Sequence, residues 1–215
     1  MRWTMNKGRT KVGDFFVSYG WACVCIIVAS VVLFEVGIRS MNAVKDHEKI
    51  AYFIECYGIE ENNTLTEDTA DTLKEDGIVE SHLYHVGPND ALKNTQFQTH
   101  GLFSDICLLF ESEIVGFKEI IGEYFVAWDE TFKEGCDFLT EGEEFYEAYS
   151  QAWGLKIFDP DQHTNWEFSS LCSFEKEGEK SEDVYLFIPN RSPNFSSPTS
   201  VGFKALNYFL GRYAK

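Results

Sequence analysis

The longest apolar stretch of the chain runs from Phe15 to Ile38, 24 residues in which Glu35 is the sole charge. With a rise of about 1.5 Å per residue, a helix over this stretch reaches about 36 Å, enough to cross a bilayer core with some tilt. The run exceeds a signal-peptide core of roughly 7–15 residues, and no small-x-small cleavage site precedes Arg39. A buried core helix is rarely apolar on every face. The pattern predicts an uncleaved signal-anchor helix over 15–38, preceded by a tail over 1–14 and followed by an outer domain over 39–215. Within the span, Ser18 and Ala22 offer a small-xxx-small pair, and Cys23 and Cys25 read as packing residues.

Beyond the anchor the spacing is mostly helical. Apolar positions from Met41 to Tyr57, the later ones at i, i+3, i+4 and i+7, predict an amphipathic helix. Thr64 and Glu67 form a capping box for a second helix, with Gly77 as its stop. Ile78 to Val86 reads as helix or strand, and Gly87-Pro88-Asn89-Asp90 as a turn. Phe103, Ile106, Phe110, Ile114, Phe117, Ile121, Tyr124, Trp128 and Phe132 step by three or four, which predicts a long core helix over 102–132. The sharper alternative for the same residues is an aromatic stripe lining a ligand. A capping box at Thr140 and Glu143 predicts a helix over 141–153. Trp166–Glu175 and Asp183–Pro189 read as the two strands of one hairpin, spanning about 166–189. A C-terminal helix opens at Thr199 or Ser200. The expected fold is mainly α: one transmembrane helix, then a helical (α+β) outer domain with a single C-terminal β-hairpin.

Charge sets the expected orientation. Arg2, Lys7, Arg9 and Lys11 precede the apolar run, whereas the 176 residues from Ser40 onward carry 13 basic and 33 acidic side chains, a net charge of −20. Basic flanks stay on the cytoplasmic or matrix side, so type II topology is expected, with the outer domain extracellular or luminal. A chain of net charge −17 repels phosphates, which argues against nucleic-acid partners. At 44% hydrophobic residues the chain is not a disordered acidic tail.

An outer location makes disulfides among Cys56, Cys107, Cys136 and Cys172 an expectation. Their spacings match no zinc pattern. If Cys107 and Cys136 lie at opposite ends of one helix, about 44 Å apart, they cannot bond. Cys136–Cys172 is then preferred, leaving Cys56–Cys107. Asn62-Asn63-Thr64 and Asn194-Phe195-Ser196 are glycosylation sequons, so Asn62 and Asn194 are the candidate acceptors. Asn190 precedes Ser192-Pro193, which hinders its use.

Candidate chemistry is sparse. Asp159-Pro160-Asp161 is a D-x-D, the weak metal candidate, but the proline favours a plain turn. The same stretch fails as an EF-hand, since Thr164 and Ser170 stand where Gly and Glu are required. His82 and His85 lack a third ligand at diagnostic spacing. No nucleophile elbow, phosphate loop or dinucleotide fingerprint occurs. No catalytic, cofactor-binding or metal residue is therefore assigned and no cofactor expected. The leading expectation is non-enzymatic: a single-pass membrane protein whose outer domain binds protein partners as an interaction module or accessory subunit of a multi-subunit membrane complex. The alternatives are a supernumerary subunit of a mitochondrial inner-membrane respiratory complex, and a small membrane-tethered metal-dependent enzyme or ligand carrier.

Overall fold

A computed structural model describes residues 24–34, 43–139, 142–161 and 164–215. The chain divides into two compact units, Met1–Ala43 and Val44–Lys215. In the first, residues 24–34 are helical and exposed. These 11 residues rise about 16 Å, roughly half of a bilayer core. Among the described residues no helix is long and apolar enough to cross a membrane, so the transmembrane element of the expected fold is not found. The tail over 1–14 and the remainder of the expected anchor, 15–23 and 35–38, lie outside the described residues.

The second unit corrects the mainly helical expectation: it is mixed α/β. In chain order it contains β1 (Lys49–Glu55), β2 (Gly58–Ile59), α1 (Leu65–Thr72), β3 (Glu80–Val86), α2 (Lys93–Thr99), β4 (Ile106–Phe110), α3 (Glu111–Val115), α4 (Ile121–Tyr124), α5 (Glu130–Glu134), β5 (Phe145–Ala148), β6 (Gln151–Phe158), β7 (Cys172–Ser173), β8 (Val184–Phe187) and α6 (Val201–Tyr213). Among the described residues, six strands form one sheet in the order β3-β1-β4-β8-β6-β5, and β2 pairs with β7. The β3-β1-β4 part is parallel and the remainder antiparallel.

Continuous apolar runs explain the strands. Ile50 to Ile54 and Ile106 to Phe110 contain no polar residue, the signature of strands covered on both faces. Alternate residues serve opposite layers. Ile50, Tyr52, Ile54, Ile106, Leu108, Leu186 and Leu155 pack with Leu65 of α1 and with Phe203, Leu206, Phe209 and Leu210 of α6. Phe53, Cys107, Leu109, Phe187 and Trp153 face the other way, against Phe97 of α2, Ile114 of α3 and Ile121 of α4. Helices thus cover both faces of one sheet, the three-layer solution that parallel strands require.

The expected helix over 102–132 is instead β4 followed by short helices. Gly116 and Gly122 weaken continuation, and the five-residue apolar run favours a strand over one stripe of a helix. The expected helix over 141–153 becomes the hairpin β5–β6, turned by Tyr149 and Ser150 at φ 54° and 61°. The expected hairpin over 166–189 does not form. Cys172–Ser173 pairs with β2, whereas Val184–Phe187 lies between β4 and β6 in the main sheet. Three local readings match the structure. Gly77 ends its helical turn at φ 91°, residues 88–89 form a turn, and the C-terminal helix starts after Ser200.

Candidate functional site

In an open sheet with parallel strands, ligands bind outside the carboxyl ends of those strands, where the strand order reverses. Here the chain leaves β1 through α1 to β3 on one side, and β4 then returns to the other side of β1. The reversal lies between β1 and β4. Glu55 is the last residue of β1 and points to the α2–α4 layer, since its register partner in direction, Phe53, packs there.

Glu55 is 1% exposed. Its Oε2 accepts the Phe110 backbone N–H at 3.2 Å. Lys93 Nζ stands 3.2 Å from Oε1, but not in hydrogen-bond geometry, and Oε1 has no hydrogen bond among the described residues. Lys93 hydrogen-bonds Glu113 instead. The result is a Glu55–Lys93–Glu113 cluster on three different elements, with net charge −1 when both carboxylates are ionised. Burial pushes the Glu55 carboxyl up to about 7; Lys93 opposes the shift and Glu113 adds to it. Burial works to lower the Lys93 pKa, but the hydrogen bond to Glu113 and the close approach and charge of both Glu55 and Glu113 hold it above its usual value.

The cluster opens into a cleft of about 360 Å³. Phe53, Val86, Phe97, Leu109, Phe117 and Tyr124 supply apolar wall, with Asn94 and Gln98 at its polar edge. The rings are ordered: Phe97 and Phe117 stack at 5.8 Å, and Tyr124 meets Phe117 edge-on at 5.7 Å. Of the aromatic stripe read in the sequence, Phe117 and Tyr124 reach this cleft, whereas Phe110, Trp128 and Phe132 belong to the opposite layer. Glu55, Lys93 and Glu113 were not singled out in the sequence. The available signal was a carboxylate closing an apolar run, Ile50 to Ile54.

A second buried carboxylate, Asp105, lies at the other end of β4. Its Oδ2 accepts Ala51 N–H at 2.8 Å; its Oδ1 accepts Ser192 Oγ–H at 2.5 Å and Asn194 Nδ2–H at 3.0 Å. Burial pushes this carboxyl up to about 6, against those three donors. All its nearest partners are donors, so it acts as a structural clamp joining β1, β4 and the loop before α6. Gly202 extends the clamp: its N–H bonds Asn194 O, and a Cβ there would stand 2.7 Å from that oxygen.

The residues singled out in the sequence fall as follows. Asn62 is exposed in a turn. Asn194 is 3% exposed, and its amide donates to Lys49 O at 2.7 Å as well as to Asp105. Asp159 accepts the Asp161 N–H at 2.9 Å and pairs with Lys156 at 3.3 Å, a local turn arrangement, while Asp161 is exposed. Among the described residues no group of three His, Cys, Asp or Glu side chains is placed to hold a metal ion. His82 and His85 lie three apart on β3 and so point to opposite sides; His82 Nε2 is 3.2 Å from Glu80. Cys56, Cys107, Cys136 and Cys172 are all thiols and all buried. Cys107 faces the layer opposite to the other three, so Cys56 does not meet Cys107. Cys56 and Cys172 belong to the same core layer, both as thiols.

Comparison with family models, with curated proteins and with solved structures returned no match.

Proposed function

We propose that residues 44–215 form a non-enzymatic binding domain, and that the cleft beside Glu55 holds a small molecule with an apolar body and one cationic head. The observation that carries this reading is Glu55 Oε1, a buried carboxylate oxygen with no hydrogen bond, at the strand-order reversal. Lys93 pairs with this oxygen by charge at 3.2 Å but not in hydrogen-bond geometry, so a ligand N–H donor adds a hydrogen bond to a charged acceptor, typically about 1.5–3 kcal/mol. The cluster's net charge of −1 suits a single positive charge, and the rings of Phe97, Phe117 and Tyr124 suit an aromatic or alkyl body and add cation–π attraction. Among the described residues the cleft wall has no Ser, Thr, Cys or His, and Lys93, held above its usual pKa by the carboxylates beside it, stays protonated and is a poor nucleophile. Calorimetry with phenethylammonium tests the reading. Binding that Glu55→Gln weakens supports it, and equal binding of the isosteric 3-phenylpropionate sinks it.

A second reading concerns the first unit. Ile26, Ile27, Leu33 and Phe34 are each more than 60% exposed on the helix over 24–34. Apolar surface of this density favours cover by another chain, which supports the accessory-subunit reading, in a membrane complex. Crosslinking in mild detergent tests it. Partners that disappear when residues 24–34 are made polar, with ligand binding by the second unit retained, support the reading; an unchanged set of partners overturns it.

A further inference from the structure

We propose that the cleft at the start of β1 binds a small phosphate monoester whose organic part is a flat ring. The cleft, of about 350 Å³, lies where β1, β3 and β4 begin. Strand β1 carries Lys49 at that end and Glu55 at the other, so the two clefts are about 20 Å apart. Three basic side chains reach this one from three elements. Lys49 opens β1, His100 follows α2, and Arg191 belongs to the loop before α6.

The Asp105 clamp sets two of them. In the loop, Asn190 Nδ2–H donates to Gly122 O at 2.8 Å, Ser192 Oγ–H to Asp105, and Asn194 Nδ2–H to Asp105 and to Lys49 O. Residues 190, 192 and 194 are thus bonded inward, and Arg191 and Pro193 between them line the cleft. The bond to Lys49 O ties the start of β1 to the same loop. Rings back the other donors: Arg191 lies over Phe103, 5.4 Å from its centroid, and His100 stacks on Tyr84 at 4.2 Å. Among the described residues neither Arg191 nor His100 has an ion pair or a side-chain hydrogen bond.

An arginine fork matches two oxygens of a phosphate, and the Lys49 ammonium and a His100 ring N–H are donors for the third. A phosphate monoester offers those three oxygens; a carboxylate has only two. The acidic side chains around the cleft leave these donors available. Both oxygens of Asp105 are taken up by its own three donors. Asp46 is 90% exposed and 3.9 Å from Lys49, a long pair that water screens. Glu80 is engaged by His82, at 3.2 Å. Phe103, half exposed, and Pro193 give a flat apolar wall beside Arg191, which suits a ring on the ester.

Calorimetric titration of phenyl phosphate into the full chain, near neutral pH in a buffer free of phosphate, tests the proposal. Saturable binding to wild type is expected, weaker by about tenfold or more in Arg191→Gln. Lys180→Gln removes the same charge from an exposed loop and is expected to bind as wild type does. Inorganic phosphate, which lacks the ring, is expected to bind about tenfold more weakly than the ester or less. No binding to wild type, or equal affinity in wild type and Arg191→Gln, overturns the proposal. Equal losses in Arg191→Gln and Lys180→Gln also overturn it, since only bulk charge would then be at work. Inorganic phosphate bound as tightly as the ester overturns the assignment of a ring. Circular dichroism checks the fold of each variant. If Arg191→Gln does not fold, His100→Gln, at another exposed position and with the same expected loss, decides.

Discussion

Glu55 and Asp105 are carboxylates that the folded chain keeps out of water, at 1% and 2% exposure, but they differ in what surrounds them. Three donors hold Asp105, while Glu55 has one backbone donor and an ion pair without hydrogen-bond geometry. Their pH signatures follow. Glu55 titrates at about 7 in the folded protein against 4.5 in the open chain, so between those values the folded state holds a proton that the unfolded state has lost. Its contribution is present in full below about pH 4.5 and is lost as pH rises through about 7, a fall of about 3 kcal/mol. Asp105 has the same sign over a lower window, from 3.8 to about 6. Urea unfolding from about pH 6 to about pH 7.5 is expected to show wild-type stability falling steeply while Glu55→Gln keeps only the shallow tail of the Asp105 titration; parallel profiles would contradict this. A second residue-scale prediction concerns the sequons. In a secretory compartment, the exposed Asn62 is the acceptor, whereas a glycan on Asn194 would have to displace a buried amide bonded to Lys49 O and Asp105. An endoglycosidase-sensitive mass shift is expected to vanish in Asn62→Gln and to persist in Ser196→Ala. No shift in either protein would favour the mitochondrial placement.

Among the elements, success in reading the sequence tracked how local the signal was. Gly77 and the 88–89 turn rest on left-handed conformation and turn chemistry, and α6 on an apolar stripe through Ala205, Leu206 and Phe209, all local signals. The strands failed because period 3.6 and period 2 both fit short apolar runs. Phe103 to Phe132 steps by three and four, yet Ile106 to Phe110 is buried at every position, which only a two-sided strand explains. Likewise Phe145 to Trp153 carried helical spacing, and its aromatic content was the better guide. The cleft was half legible. Phe117 and Tyr124 were noticed as possible ligand-lining rings, but Glu55, Lys93 and Glu113 lie far apart in sequence and meet only through the crossover of β1, α1 and β3. The β5–β6 turn gives an element-scale prediction. Tyr149 and Ser150 both have positive φ, the two-residue turn that favours Asn-Gly. Since a left-handed residue costs about 1–2 kcal/mol unless it is glycine, Ser150→Gly is expected to stabilise the protein by about 1 kcal/mol in chemical denaturation. Destabilisation would mean that the Ser150 side chain makes a contact of greater worth.

At the scale of the whole molecule, two units with different surfaces share one chain. Met1–Ala43 includes the exposed apolar helix over 24–34, and Val44–Lys215 has its own two-sided core. Among the described residues the core side chains all belong to the second unit, so a chain starting at Val44 is expected to unfold within a few degrees of the full protein, as followed by circular dichroism. A truncated chain that does not fold would show that the first unit contributes to the core. The charge division in the sequence acquires a local meaning in the second unit. Most of its excess carboxylates are at the surface, and the exception that matters is Glu55, placed where the strand order reverses. The most direct test of that placement is calorimetric titration of phenethylammonium into wild type and Glu55→Gln across neutral pH, with 3-phenylpropionate as control. The cationic-ligand reading predicts wild-type binding that tightens as pH rises through about 7 and Glu55 ionises, a loss of about tenfold or more in Glu55→Gln, and no binding of the carboxylate. Equal affinity in the two proteins, or binding of the carboxylate as tight as that of the ammonium, would contradict it.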